Sequence, residues 1–167
     1  MTINIRPETS IDAATIRAVI EDAFSEVAYS DKTEQHIVEA LRAADVLPIS
    51  LVAEDQHEIL GHVAVSPVSI SDGANDWYGL GPIAVHPSNQ RCGIGTLLMN
   101  AAIDQLKTMN ASGCVLLGDP NYYHRFGFKV IQGLELPGVP AAYFQALVLK
   151  DKTPQGRVRY HAAFDAR

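Results

Sequence analysis

Leu80-Gly81-Pro82-Ile83-Ala84-Val85-His86-Pro87-Ser88-Asn89-Gln90-Arg91-Cys92-Gly93-Ile94-Gly95-Thr96-Leu97-Leu98-Met99 is the stretch whose reading decides the fold. Ile83-Ala84-Val85 is a short apolar run of strand type, and His86 to Asn89 is turn punctuation. Ile94, Leu97, Leu98, Ala101, Ala102 and Leu106 then recur at helical spacing. A strand therefore passes through a glycine-bearing turn into a helix, with Gly93 and Gly95 on the first helical turn. The first amides of a helix have no intrahelical acceptor, so they can hold an anion aligned with the helix dipole. Hydrogen as the side chain at 93 and 95 keeps the amides of Cys92 through Thr96 open to a bulky phosphate. Each charge-assisted bond of this kind is worth about 1.5–3 kcal/mol, and the dipole adds roughly 0.3–1 kcal/mol. On these residues alone, a tight turn packed against the sheet stays open as the alternative.

Two phosphate loops are excluded. A P-loop closes on Gly-Lys-Ser/Thr, whereas Gly95-Thr96-Leu97 has no lysine. A dinucleotide fingerprint needs a third glycine at 98, which is leucine; Asp119 stands near the place of its acidic residue, so the missing glycine carries the exclusion.

Outward from this stretch, 167 residues fit one domain spanning 1–167 with a core large enough to stand without staples. The net charge of −6 leaves no basic surface for nucleic acid. No run approaches the roughly 20 apolar residues of a membrane span. The first residues show neither a basic nor an apolar leader region, so a cytoplasmic protein is expected. Cys92 and Cys114 have no metal-ligand spacing, and no metal is expected. Cys92 lies at a helix start, where a thiol pKa can fall; a redox-sensitive loop and a plain small loop residue are the two readings.

Thr2 to Ile5 alternates as a first strand ended by Arg6-Pro7, and Thr9 to Asp12 has capping-box spacing ahead of a helix with Ile11, Ile16, Val19, Ile20 and Phe24 on one stripe. A loop from Ser25 to Asp31 precedes a second helix over about 33–43. Ile49 to Ala53 and Ile59 to Val68 are strands around a hairpin turn. His62, inside the second, could serve as a base, although a strand histidine is more often simply hydrogen-bonded. Gly79, Gly81 and Pro82 interrupt the strand from Trp77 to Val85, marking a bulge where the sheet opens. Cys114 to Leu117 is the next strand, and a short helix from Asp119 carries Tyr122, Tyr123 and Phe126 before Gly127 ends it. Phe128 to Val130 starts another strand, and Ala146 to Leu149 and Arg157 to Phe164 are terminal strands.

Gln90-Arg91-Cys92-Gly93-Ile94-Gly95 resembles the Gln/Arg-x-x-Gly-x-Gly/Ala acyl-CoA loop of the GNAT superfamily of N-acyltransferases, and Ile83 to Pro87 looks like that family's central strand and exit turn. Tyr123-His124-Arg125-Phe126-Gly127-Phe128 is similar to the family's Tyr-x-x-x-Gly-Phe signature. The doubled Tyr122-Tyr123 looks closest to a bacterial branch, the YhbS-like group.

The resemblance implies an α/β (α+β) domain: a mixed, mostly antiparallel twisted sheet splayed between its fourth and fifth strands, with helices on both faces. It implies acetyl-CoA as co-substrate. The Ile83 amide would meet the acetyl carbonyl, and Ala84 and Val85 would line the pantetheine arm. Gln90, Arg91, Cys92, Gly93, Ile94, Gly95 and Thr96 would grip the diphosphate, with Asn121, Tyr122 and Phe126 also on the cofactor side. Tyr123 would be the general acid. Glu26, Tyr29 and Asp31 would face the acceptor, a primary amine of a small molecule or peptide. The base stays open between Glu26, His62 and an ordered water. A non-catalytic acyl-CoA-binding or sensor module, and an enzyme modifying a macromolecular amine such as a protein N-terminus, are the rival classes; the oligomeric state, monomer or homodimer, is left open.

Overall fold

The computed structural model describes residues 1–167. Along the chain run β1 (Asn4–Pro7), α1 (Ala13–Phe24), α2 (Glu34–Ala43), β2 (Ile49–Asp55), β3 (Glu58–Ile70), β4 (Trp77–Val85), α3 (Ile94–Thr108), β5 (Gly113–Leu117), α4 (Pro120–Tyr123), β6 (Leu134–Glu135), β7 (Phe144–Val148) and β8 (Gly156–Tyr160). The main sheet has the order β1-β2-β3-β4-β5-β7. Its neighbours are antiparallel except β4 and β5, which run parallel because α3 crosses between them.

Alternation along β4 sorts side chains between two layers. Tyr78, Leu80, Ile83 and Val85 join the core under α3, whose Ile94, Leu98, Met99, Ala102, Ile103 and Leu106 are buried at three- and four-residue spacing. Ala84 points the other way, into the cluster made with Ile16, Val19 and Ile20 of α1 and Val38 of α2. A third cluster gathers Trp77, Val115, Phe144, Ala146 and Val158. Gly61 lets α3 settle on the sheet: a Cβ there would stand 3.0 Å from Leu98 Cδ1 and 3.2 Å from Ile94 Cγ2. No helix is long and apolar enough to cross a membrane.

The expected opening is present. The β4–β5 ladder pairs Trp77 with Gly113, Tyr78 with Cys114 and Gly79 with Val115, then stops, while β5 continues along β7 as far as Leu117 opposite Phe144. On the other side of β4 the register steps from Val63↔Ile83 to Val65↔Leu80, so β4 carries an extra residue at Gly81-Pro82. That bulge turns the second half of β4 away from β5.

Three expectations are corrected. The first strand runs Asn4–Pro7 rather than 2–5; β1 is the sheet edge, where a proline's missing donor leaves no ladder bond unmade. Phe128 to Val130 makes only one bridge, Lys129 with Ala146, instead of a strand. The last strand, β8, runs Gly156–Tyr160 rather than 157–164, because the chain turns into a short 3₁₀ segment at Ala162–Asp165; it pairs with the far end of β3 over Val68 to Ile70 and with β6.

Candidate active site at the splayed strands

The helix start is built as the glycines require. Arg91 and Gly93 both take left-handed backbone conformations, φ 64° and 85°, and Gly93 is the residue immediately before α3 rather than part of its first turn. Alternating left-handed residues turn successive amides toward one side. The amides of Cys92, Gly93, Ile94, Gly95 and Thr96 donate to no acceptor within the chain; Leu97 is the first of the run to bond back, to the Gly93 carbonyl at 3.1 Å. Gly93 has open space where a Cβ would stand, and at Gly95 that position lies 3.2 Å from the Tyr122 hydroxyl. Gln90 ties the loop to the end of β4 by donating its Nε2–H to the Val85 carbonyl at 3.1 Å.

A cavity of about 500 Å³ lies between this loop, the diverging half of β4 and α4. Ile83, Val85, Gln90, Arg91, Gly93, Ile94, Gly95, Thr96, Tyr122 and Tyr123 of the expected site line it. Ala84 is buried on the opposite sheet face, and Cys92 is exposed, its Sγ 3.6 Å from the Gln90 carbonyl. Asn121 is exposed with its amide given to Asp119 Oδ1, and Phe126 supports from behind, its ring 5.6 Å from that of Tyr122.

Asp119 caps α4 and Pro120 occupies its first turn, which presents Tyr122 and Tyr123 to the cavity. The Tyr123 ring lies against Gly118 so closely that any Cβ there would collide with it. Gln145, buried on β7, donates to the Gly118 carbonyl at 3.0 Å and steadies that backbone. Burial, with smaller contributions from Tyr122, Tyr29 and Asp119, pushes the Tyr123 phenol up to about 12. Tyr29, in the α1–α2 loop, is exposed and lines neither this cavity nor its neighbour. Glu26 lines a neighbouring cavity of about 410 Å³ with Asp22 and His86, which shares Gln90 with the first. Asp31 is exposed and lines neither cavity.

His62 sits on the face away from α3, opposite Ala84, and is fully buried. Arg42 donates twice to the Glu8 carboxylate, at 2.8 and 3.0 Å, and Ser50 Oγ makes a short contact to the same group. A carboxylate only accepts, so the single Ser50 proton goes to Glu8. His62 Nε2–H then donates to Ser50 Oγ at 2.8 Å, which leaves Nδ1 unprotonated and without a partner in the chain. Burial, reinforced by Arg42 and opposed by Glu8, pulls His62 down to about 4. Burial pushes Glu8 up, yet the Arg42 and Ser50 hydrogen bonds outweigh it and hold that carboxyl below its ordinary range. A histidine so held is a weak proton acceptor, as its place within a strand suggested.

Two lining residues escaped the sequence reading, Asn89 and Arg125. Arg125 was legible in principle: three positions after Tyr122 on a helical turn, it falls beside that ring. Its guanidinium carbon stacks 4.5 Å from the ring centre, and Nε donates to the Tyr122 carbonyl at 2.8 Å.

Comparison with known proteins agrees with this geometry. Residues 48–130 match the family model of the acetyltransferase (GNAT) domain. The chain is 34% identical over 169 residues to the uncharacterized N-acetyltransferase YhbS of Escherichia coli (strain K12), covering 96% of this chain and 98% of YhbS. It resembles a crystal structure of a GNAT family acetyltransferase from Brucella melitensis in complex with acetyl-CoA, with TM-score 0.88, 51% identity and coverage of 98% and 99% of the two chains. The crystal structure of Escherichia coli YhbS in complex with CoA matches with TM-score 0.88 at 32% identity, over 98% and 92% of the chains.

Proposed function

Because the chain belongs to the GNAT acetyltransferase family, we propose that it transfers an acetyl group from acetyl-CoA to a primary amine of a small molecule or peptide by direct attack. The observation that carries this reading is the run of amides from Cys92 to Thr96, without acceptors, facing a cavity closed on the far side by Tyr122 and Tyr123. The donor set fits the proposed co-substrate: bare amides and Arg91 suit a diphosphate, and the unpaired half of β4 suits an extended, amide-bearing arm. The acetyl-CoA and CoA held by the two crystallised relatives support the same assignment.

Bound there, the thioester supplies an electrophilic carbonyl and a thiolate leaving group. The protein's part is to orient and to move protons. The amides of Cys92 through Thr96, with Gln90 and Arg91, hold the diphosphate; Ile83 presents its amide to the acetyl oxygen, and main chain of Ala84 and Val85 flanks the arm. Tyr123, at about 12, is protonated throughout the neutral range. It can therefore give its proton to the departing sulfur, and positioned acids of this kind contribute roughly 10²–10⁴-fold.

An ammonium group must lose a proton before attacking, which at neutral pH costs about 4–5 kcal/mol. His62 is too weak a base and too deeply buried to be matched to that task. Glu26 is better placed, in an acidic cavity that adjoins the first through Gln90. With Asp22 it favours a cationic acceptor.

Release of free thiol from acetyl-CoA is the test, read across polyamines, amino acids, aminoglycosides and peptides. Amine-dependent release supports transfer. Tight binding of acetyl-CoA with no release for any amine would make the chain a non-catalytic acyl-CoA binder.

A further inference from the structure

Two cations line the cavity, Arg91 of the loop before α3 and Arg125 just after α4. Arg6, Arg17 and Arg42 make the chain's arginine ion pairs, whereas Arg91 and Arg125 belong to none. Two unpaired guanidinium groups lining one cavity in a chain of net charge −6 call for more than one anionic ligand group. Arg91 is contiguous with the bare amides, so one anionic group is accounted for there. Arg125 is separated from them by the Tyr122 ring, whose hydroxyl stands over Gly95 while the guanidinium stacks on its face. It is held rigidly by that stack and by the bond from Nε to the Tyr122 carbonyl, while both terminal amino groups have no acceptor in the chain. A guanidinium so fixed presents a two-pronged donor fork, the geometry that suits a phosphate monoester.

We propose that Arg125 reads the 3′-phosphate of coenzyme A, and that the Tyr122 ring is the spacer that keeps this contact apart from the diphosphate cradle. This rests on the reading of the cavity as an acyl-CoA site. Coenzyme A carries two separate phosphate-bearing parts, a diphosphate and a ribose monoester, and the cavity offers two separate cationic places. The diphosphate goes to the amides and Arg91. The monoester, which bears the greater charge on a single phosphorus, goes to Arg125.

The experiment measures binding of coenzyme A and of 3′-dephospho-coenzyme A by calorimetry, for the unmodified chain and for Arg125→Gln, Arg125→Lys and Arg91→Gln. The unmodified chain should prefer coenzyme A by roughly tenfold to a hundredfold, the size of one charge-assisted contact. Arg125→Gln should lose affinity for coenzyme A alone, bringing the two ligands within about threefold of each other. Arg125→Lys gives up the planar stack and keeps the charge, so it should retain part of the preference, separating recognition from packing against Tyr122. Arg91→Gln should weaken both ligands alike. An undiminished preference in Arg125→Gln, or an equal weakening of both ligands by it, overturns the proposal. Equal binding of both ligands by the unmodified chain overturns it as well, and leaves the acyl-CoA reading standing. Failure of the unmodified chain to bind either ligand would instead remove the acyl-CoA reading, and this proposal with it.

Discussion

Lowering the pH should destabilise this protein well before its carboxylates titrate, and His62 should be the cause. The imidazole's ordinary value of 6.5 falls to about 4 in the folded chain, because ring and network are closed off beneath α1 and α2. Unfolding returns the ring to water. Since the folded value is the lower one, the unfolded chain takes up the proton first as pH falls. The contribution is complete above about pH 6.5, shrinks by about 1.4 kcal/mol for each pH unit below it, and is exhausted near pH 4. Over the whole window this amounts to about 3 kcal/mol, and between about pH 7.5 and pH 5 to about 2 kcal/mol. That is a large share of the 5–15 kcal/mol by which folded domains typically exceed their unfolded chains, roughly stated. Urea denaturation at about pH 7.5, 6 and 5, for the unmodified chain and for His62→Gln, isolates the term, since glutamine can donate to Ser50 Oγ without titrating. The unmodified chain should lose about 2 kcal/mol more than the variant across that range. An equal loss in both would refute the reasoning and show that the ring is hydrated or already paired in the folded state.

Other outcomes are expected at the candidate site and in its support. Tyr123→Phe should lower amine-dependent thiol release by roughly 10²–10⁴-fold while calorimetric affinity for coenzyme A stays within about twofold; undiminished turnover would take Tyr123 out of the acid role. Gly95→Val places a branched side chain against the Tyr122 hydroxyl, 3.2 Å from where its Cβ would stand, and over the bare amides. Affinity for coenzyme A should fall by about tenfold or more with little change in the thermal midpoint of the free protein, and unchanged affinity would contradict the cradle. Asp12→Ala removes both the 2.8 Å pair with Arg6 and the acceptor for the Thr9 amide, which together should be worth about 1–2 kcal/mol in urea unfolding. The Arg6 hydrogen bond holds the Asp12 carboxyl down at about 2 from 3.8, so this contribution is present above about pH 4 and is lost as pH falls toward 2. A variant as stable as the parent at neutral pH would show the pair to be idle.

Much of the fold was legible because its decisive elements are local. The bounds of β4, the glycine-bearing entry to α3 and the Thr9-to-Asp12 start each follow from backbone freedom, capping or periodicity within a few residues. The hairpin between β2 and β3 was legible in place though not in kind: Gln56 and His57 take positive φ, 49° and 71°, where asparagine and glycine are usual. The partners of the terminal strands were not legible, because they are chosen at long range. Nothing in Arg157 to Tyr160 says that β8 will meet Val68 to Ile70 rather than run beside β7.

The sequence by itself determined that a strand would end in a run of bare helix amides with an opening beside it, since proline, glycine and the 3.6-residue period act through the nearest neighbours in the chain. Only the tertiary structure decided what meets across that opening. It set Tyr122 over Gly95, stacked Arg125 on the Tyr122 ring in the same cavity lining as Arg91, and closed Arg42, Glu8, Ser50 and His62 into one network that leaves the histidine neutral. The physical reason is that desolvation and charge coupling depend on distances between segments far apart in sequence. His62 and Glu8 are separated by an entire helical layer along the chain, and their electrostatics exist only once β1, β2, β3 and α2 have come together.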